Sequence, residues 1–133
     1  MSAKLNTVLL VDDNPIDRLV HARVLNQSGV VKTVIECGSG ADALACLLDQ
    51  RLRQEAVIFL DIHMPTMSGL DFLDAAAAEY GHHIAQTVVV MLTTPLSPHD
   101  RARLSRHACV SEQIEKPLTS EQVLNLAARI GVC

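Results

Sequence analysis

The acid pair Asp12-Asp13, the single acid Asp61, the hydroxyls Thr93-Thr94 and the base Lys116 each follow an apolar run directly or within two positions. Three carboxylates drawn to within a few ångströms repel one another, and their protons return unless a cation compensates. Oxygen donors with no thiolate or imidazole cluster beside them suit Mg²⁺, which takes one or two carboxylates and keeps several waters for a phosphate. A lysine adds positive charge for phosphate oxygens, and a threonine adds a hydroxyl donor. Together these groups describe a site that handles a phosphoryl group, with one aspartate as the nucleophile. Each residue alone has a plainer use. Asp12-Asp13 before Asn14-Pro15 reads as helix-cap chemistry, Asp61 as a turn cap, Thr93 as a strand-end hydroxyl and Lys116 as a solvated charge. Their joint order of acid pair, acid, hydroxyl and lysine carries the reading.

The elements that must position them alternate along the chain. Apolar β-rich runs occur at Val8–Val11, Thr33–Cys37, Ala56–Leu60, Thr87–Leu92 and Cys109–Ile114. Helix-period segments lie between them. Pro15–Ser28 has Asn14 as N-cap, Gly29 as its stop and a stripe of Ile16, Leu19/Val20 and Val24. Gly40–Arg53 offers Ala41, Leu44 and Leu48, and Gly69–Tyr80 offers Leu70, Leu73 and Ala77. Pro98–His107 has little beyond Ala102 and Leu104, which predicts the least firmly docked helix. The last helix opens at Thr119 with a capping-box partner at Gln122 and buries Val123, Leu126/Ala127 and Ile130. Such alternation predicts an α/β fold, a doubly wound five-stranded parallel sheet of flavodoxin-like order 2-1-3-4-5. In that sheet ligands bind beyond the carboxyl edge of the strands, between strands one and three. All the chemical residues fall on that edge, and the central strand puts Asp61 deepest.

The 133 residues are expected to form one domain, 1–133. A composition that is 49% hydrophobic supplies a sizeable aliphatic core and excludes wholesale disorder. A net charge of −4 without a Lys/Arg run argues against nucleic acid and anionic membranes as partners. The longest apolar stretch, around Thr87–Leu92, is far short of the ~18 residues of a membrane span. No signal-peptide pattern follows Met1-Ser2-Ala3-Lys4, and Cys37, Cys46, Cys109 and Cys133 form no CxxC pair. They read as reduced thiols in a cytoplasmic protein. His82-His83 are adjacent, and adjacent side chains do not converge on a metal.

Four stretches carry a resemblance: Val8-Leu9-Leu10-Val11-Asp12-Asp13, Leu60-Asp61-Ile62-His63-Met64-Pro65-Thr66-Met67-Ser68-Gly69, Val88–Thr94 and Lys116-Pro117. Over nearly its whole length the chain resembles the receiver domains of two-component response regulators. The Asp-x-x-Met-Pro-x-Met-x-Gly stretch is the specific part. The resemblance implies that Asp61 takes a phosphoryl group from the phosphohistidine of a sensor histidine kinase or a histidine phosphotransfer protein. It makes Asp13, Asp61 and the His63 backbone carbonyl the Mg²⁺ ligands, with Asp12 acting through water. Thr93 and Lys116 would bind the phosphoryl oxygens, and the Lys116-Pro117 bond would be cis. Sixteen residues follow Pro117, enough for one helix. The expectation is therefore a single-domain, chemotaxis-type regulator without an output domain. It would be a signalling phosphoacceptor rather than an enzyme, monomeric or alternatively dimeric, acting on a downstream protein. A phosphorelay intermediate and a docking pseudo-receiver are the alternatives.

The pattern departs from the family at Gln113, where receivers commonly carry Tyr or Phe, and it has His63 and Pro95 at two variable positions. The expected switch therefore runs through the Thr93–Pro98 loop and the Pro98–His107 helix, with Gln113 a bystander. A haloacid-dehalogenase-type phosphatase needs a second Asp where His63 stands. A flavodoxin-type nucleotide binder wants a Ser/Thr/Gly-rich loop where Asp12-Asp13 stand.

Overall fold

Two of the apolar runs become neighbouring interior strands covered on both faces. In the computed structural model, which describes residues 5–49, 52, 56–64, 66–81, 88–93, 96–107 and 110–130, strands and helices alternate. They are β1 (Leu5–Val11), α1 (Pro15–Gln27), β2 (Val31–Cys37), α2 (Gly40–Cys46), β3 (Ala56–Asp61), α3 (Gly69–Tyr80), β4 (Val88–Thr93), α4 (Pro98–Leu104), β5 (Val110–Glu115) and α5 (Ser120–Ile130). All strands pair in parallel in the order β2-β1-β3-β4-β5, as expected.

Strand pleating divides the core into two layers. Leu9, Val11, Ile58 and Leu60 face Ala43 of α2 and its C-cap Leu47, Leu70, Phe72, Leu73 and Ala76 of α3, and Leu104 of α4. Val8, Leu10, Val57 and Phe59 face Ala22 and Leu25 of α1 and Val123, Leu126 and Ala127 of α5. Register places Val11 opposite both Cys37 and Leu60, and Asp61 opposite Leu92. The carboxyl ends of the strands therefore finish level.

Most predicted helix signals are observed. Asn14 accepts from the Ile16 and Asp17 N–H groups, and Gly29 closes α1 at φ +79°. Thr119 and Gln122 cap α5 reciprocally. Three readings need correction. Of the stripe expected to dock α1, only Val24 packs on the core; Ile16 is 71% and Leu19 56% exposed, and His21, Ala22 and Leu25 are buried instead. Helix α2 ends at Cys46 rather than Arg53, and it buries Ala43 and Leu47 rather than Ala41 and Leu48. The cause is Gly40, where a Cβ would lie 2.6 Å from Met67 Sδ, so residues 40, 43 and 47 share the contact face. Helix α4 ends at Leu104 rather than His107, although the His107 N–H still bonds the Leu104 carbonyl. Thr94, Pro65, Pro95, His82, His83, Cys109 and Cys133 lie outside the described residues.

Candidate functional site

Strand β1 delivers Asp12 and Asp13 to the carboxyl edge, and β3 beside it delivers Asp61. One carboxylate oxygen from each of the three can be chosen so that all lie within 4.8 Å of one another. Asp12 and Asp61 are buried, and Asp13 is half-buried. From the connection after β5, Lys116 extends its Nζ to 3.1 Å from Asp61 Oδ1 and 3.5 Å from Asp12 Oδ2. The Lys116-Pro117 peptide is cis. Thr93 ends β4 one residue beyond the partner of Asp61, is buried, and accepts the Lys116 N–H on its carbonyl at 3.1 Å. His63 is exposed, and its N–H donates to Asp61 Oδ1 at 3.2 Å. Asp13, Asn14, Pro15, Asp17, Asp61, His63 and Lys116 line a cleft of about 510 Å³. Every predicted site residue within the described chain thus reaches one edge of the sheet.

The electrostatics are those of a crowded anionic pocket. Burial, first of all, raises the Asp12 pKa; the Asn14 N–H opposes this, and the Asp61 carboxylate adds to it. Burial alone would lower Lys116, but Asp61, Asp12 and Asp17 together hold it above its ordinary value. The donor set is all oxygen and carries excess negative charge, which fits a hard divalent cation. Asp61 Oδ1 meets the Lys116 ammonium and the His63 N–H together, and these fix the carboxylate in place.

Three neighbours escaped the sequence reading. Asp17 Oδ2 lies 3.5 Å from Lys116 Nζ. His21 is buried, with Nδ1 4.0 Å from Asp12 Oδ2 and without a hydrogen-bond partner. Arg18 donates to the Asp12 carbonyl at 2.8 Å and pairs with Glu36. The spacing of four from Asp13 to Asp17 to His21 was the available signal.

The connection after β3 is pressed close to Asp61. A Cβ at Gly69 would lie 2.5 Å from the Asp61 carbonyl oxygen, so only glycine fits without a backbone shift. The Gly69 N–H donates to the Ile62 carbonyl, and Ser68 and Asp71 cap α3 reciprocally. Asp71 and Asp74 then reach across to α4. Arg103 donates to Asp71 at 2.8 Å and to Asp74 at 2.7 Å, and His107 Nε2 lies 2.8 Å from Asp74. The thin apolar contact of α4, with Leu104 its only buried residue, is as expected. The polar clamp that supplements it was not anticipated.

Comparison with known proteins gives a consistent likeness. The family model described as "Response regulator receiver domain" matches residues 8–128. A two-component response regulator from Cytophaga hutchinsonii superposes with a TM-score of 0.82 at 25% identity, covering 95% of this chain and 96% of that one. The chemotaxis protein CheY4 of Vibrio cholerae gives 0.76 at 28% identity, covering 95% and 98%. Protein-glutamate methylesterase/protein-glutamine glutaminase 3 of Hahella chejuensis is 33% identical over 93 residues, which is 70% of this chain but 24% of the esterase. Among the described residues, no helix is long and apolar enough to cross a membrane.

Proposed function

The chain belongs to the response regulator receiver domain family, and on that premise we propose that Asp61 is its phosphoacceptor. The donor is the phosphohistidine of a sensor histidine kinase or a histidine phosphotransfer protein. Receivers of two-component systems take phosphate from histidine kinases and act on downstream effectors. An Asp61 carboxylate oxygen attacks phosphorus, the P–N bond breaks, and the imidazole leaves with that electron pair. Lys116 and Thr93 bind phosphoryl oxygens, and the buried Asp12 acts through water. Asp13, Asp61 and the His63 carbonyl would hold Mg²⁺, which when bound would supply positive charge to offset that of the phosphoryl oxygens. The observation that carries the reading is Lys116 Nζ at 3.1 Å from the Asp61 carboxylate in a cleft that Asp13 and Asp17 also line. The outward Ile16, Leu19 and Val20 of α1 offer the donor protein an apolar surface beside that cleft.

Phosphorylation then pulls on Thr93 and shifts the 93–107 region, which controls binding of a downstream protein in the cytoplasm. The test is phosphotransfer profiling across the histidine kinases of the source genome. One kinase should load the wild-type chain much faster than the rest and leave Asp61→Asn unloaded. A chain that no donor loads would instead be a docking pseudo-receiver.

A further inference from the structure

Cys37 ends β2 and Cys46 ends α2, and their Sγ atoms lie 3.7 Å apart. Both are free thiols. Cys37 belongs to the core beside α2, and Cys46 is half-buried at its margin. Sulfurs in a disulfide sit about 2.0 Å apart, so the gap closes by less than 2 Å. These two are the cysteines among the described residues.

We propose that Cys37 and Cys46 form an intramolecular, thiol-reducible disulfide when the protein meets a peroxide. This modification site lies outside the acidic cleft and does not depend on the phosphoacceptor reading. In the first step the Cys46 sulfur attacks hydrogen peroxide. An S–O bond forms, the O–O bond breaks, and the departing hydroxide takes the thiol proton as water. In the second step the Cys37 sulfur attacks Cys46 Sγ. The S–S bond forms, the S–O bond breaks, and the hydroxide leaves with the Cys37 proton as a second water. Two thiols and one peroxide thus give one disulfide and two waters.

The order of attack follows from exposure. Cys46 is open to a small oxidant, whereas Cys37 is 2% exposed. Its thiol is also pushed up to about 12, by burial first and then by Cys46 beside it. Cys37 therefore acts as the resolving group, and its contact with Cys46 replaces a bimolecular encounter. The bond would pin a segment that adjoins the candidate site. The Cys37 carbonyl accepts the Asp12 N–H at 3.1 Å, and Gly40 packs on Met67 of the connection after β3.

The test treats the full chain with hydrogen peroxide and follows intact mass and non-reducing peptide maps. The expected product has lost two hydrogens, links the peptides containing Cys37 and Cys46, and reverts with dithiothreitol. Cys46→Ser should abolish the link, and so should Cys37→Ala, chosen as the smaller disturbance at a buried position. The Cys109→Ser/Cys133→Ser double variant should still form it. The proposal is overturned if Cys46 instead gains oxygens without a link, if another cysteine pair closes, or if the double variant keeps both thiols free.

Discussion

Lys116 Nζ lies 3.1 Å from Asp61 Oδ1 and 3.5 Å from Asp12 Oδ2, so one ammonium spans the ends of β3 and β1. Asp17 makes a third contact at 3.5 Å, and Asp13 faces the same cleft. Three carboxylates thus contact one lysine and a fourth lines the same cleft, so negative charge is in excess there. The crowding opposes folding and favours a cation, which is why site and stability are opposed here.

Asp13→Ala separates those two effects. Removing one crowded carboxylate relieves repulsion, so the melting midpoint without Mg²⁺ should be unchanged or higher. Wild-type protein should gain about 1.4 kcal/mol from Mg²⁺ at ten times its dissociation constant, and the variant should gain far less at the same concentration. A variant that unfolds without metal would make Asp13 chiefly a fold residue.

His21 supplies a pH dependence of known sign. Burial lowers its pKa despite the pull of Asp12, so the fold prefers the neutral ring. A depressed folded pKa contributes stability that is present above the ordinary histidine value of about 6.5 and lost as pH falls through the folded value. Urea midpoints of wild type and His21→Leu, measured without divalent cations, should diverge as pH drops from 7 to 5, with the wild type falling faster. A constant difference would mean that the pull of Asp12 cancels burial and leaves no net shift, and a wild type that gains on the variant as pH falls would mean that Asp12 keeps His21 protonated in the fold.

The Arg103 clamp should hold α4 rather than the sheet. Arg103, ahead of the other causes, lowers the Asp71 and Asp74 pKa values. Lowered carboxylates contribute above their unfolded pKa and lose that contribution as pH falls through the folded one, so the clamp is intact at neutral pH. Asp74→Ala removes the contacts to both Arg103 and His107. Amide exchange should accelerate across Pro98–Leu104 while β1 and β3 keep their protection, and high salt should mimic part of the effect. Unchanged protection in α4 would assign its anchoring to Leu104 alone.

The strand order and the site were legible for the same reason. Parallel strands covered on both faces read as continuous apolar runs, and polar residues at their carboxyl ends mark the edge where ligands bind. The docking face of α1 was only partly legible, because Ile16, Leu19 and Val20 point to solvent while His21 and Ala22 are buried beside Leu25 and Val24. A buried neutral histidine does not announce itself in a hydrophobic pattern. The clamp joins residues 29 to 33 positions apart, beyond any helical or strand period. Asp17 was within reach, one turn after Asp13.

Gln113 is exposed on β5, where family members commonly bury an aromatic ring. Burying its amide without partners would cost about 1–3 kcal/mol, so the switch should not use it. Gln113→Ala should leave both phosphorylation and the amide shifts induced by beryllofluoride essentially intact, with the shifts concentrated in residues 61–69, 93–107 and around Lys116. Loss of those shifts in Gln113→Ala would make the amide a working part of the switch.

The most direct measurement is the intact mass of the protein after incubation with Mg²⁺ and acetyl phosphate. The wild-type chain should gain one phosphoryl group that is labile to base, as an acyl phosphate is. Asp61→Asn should gain none while keeping its fold, since an amide does not attack phosphorus. Undiminished phosphorylation of Asp61→Asn would contradict the assignment of Asp61 as the acceptor.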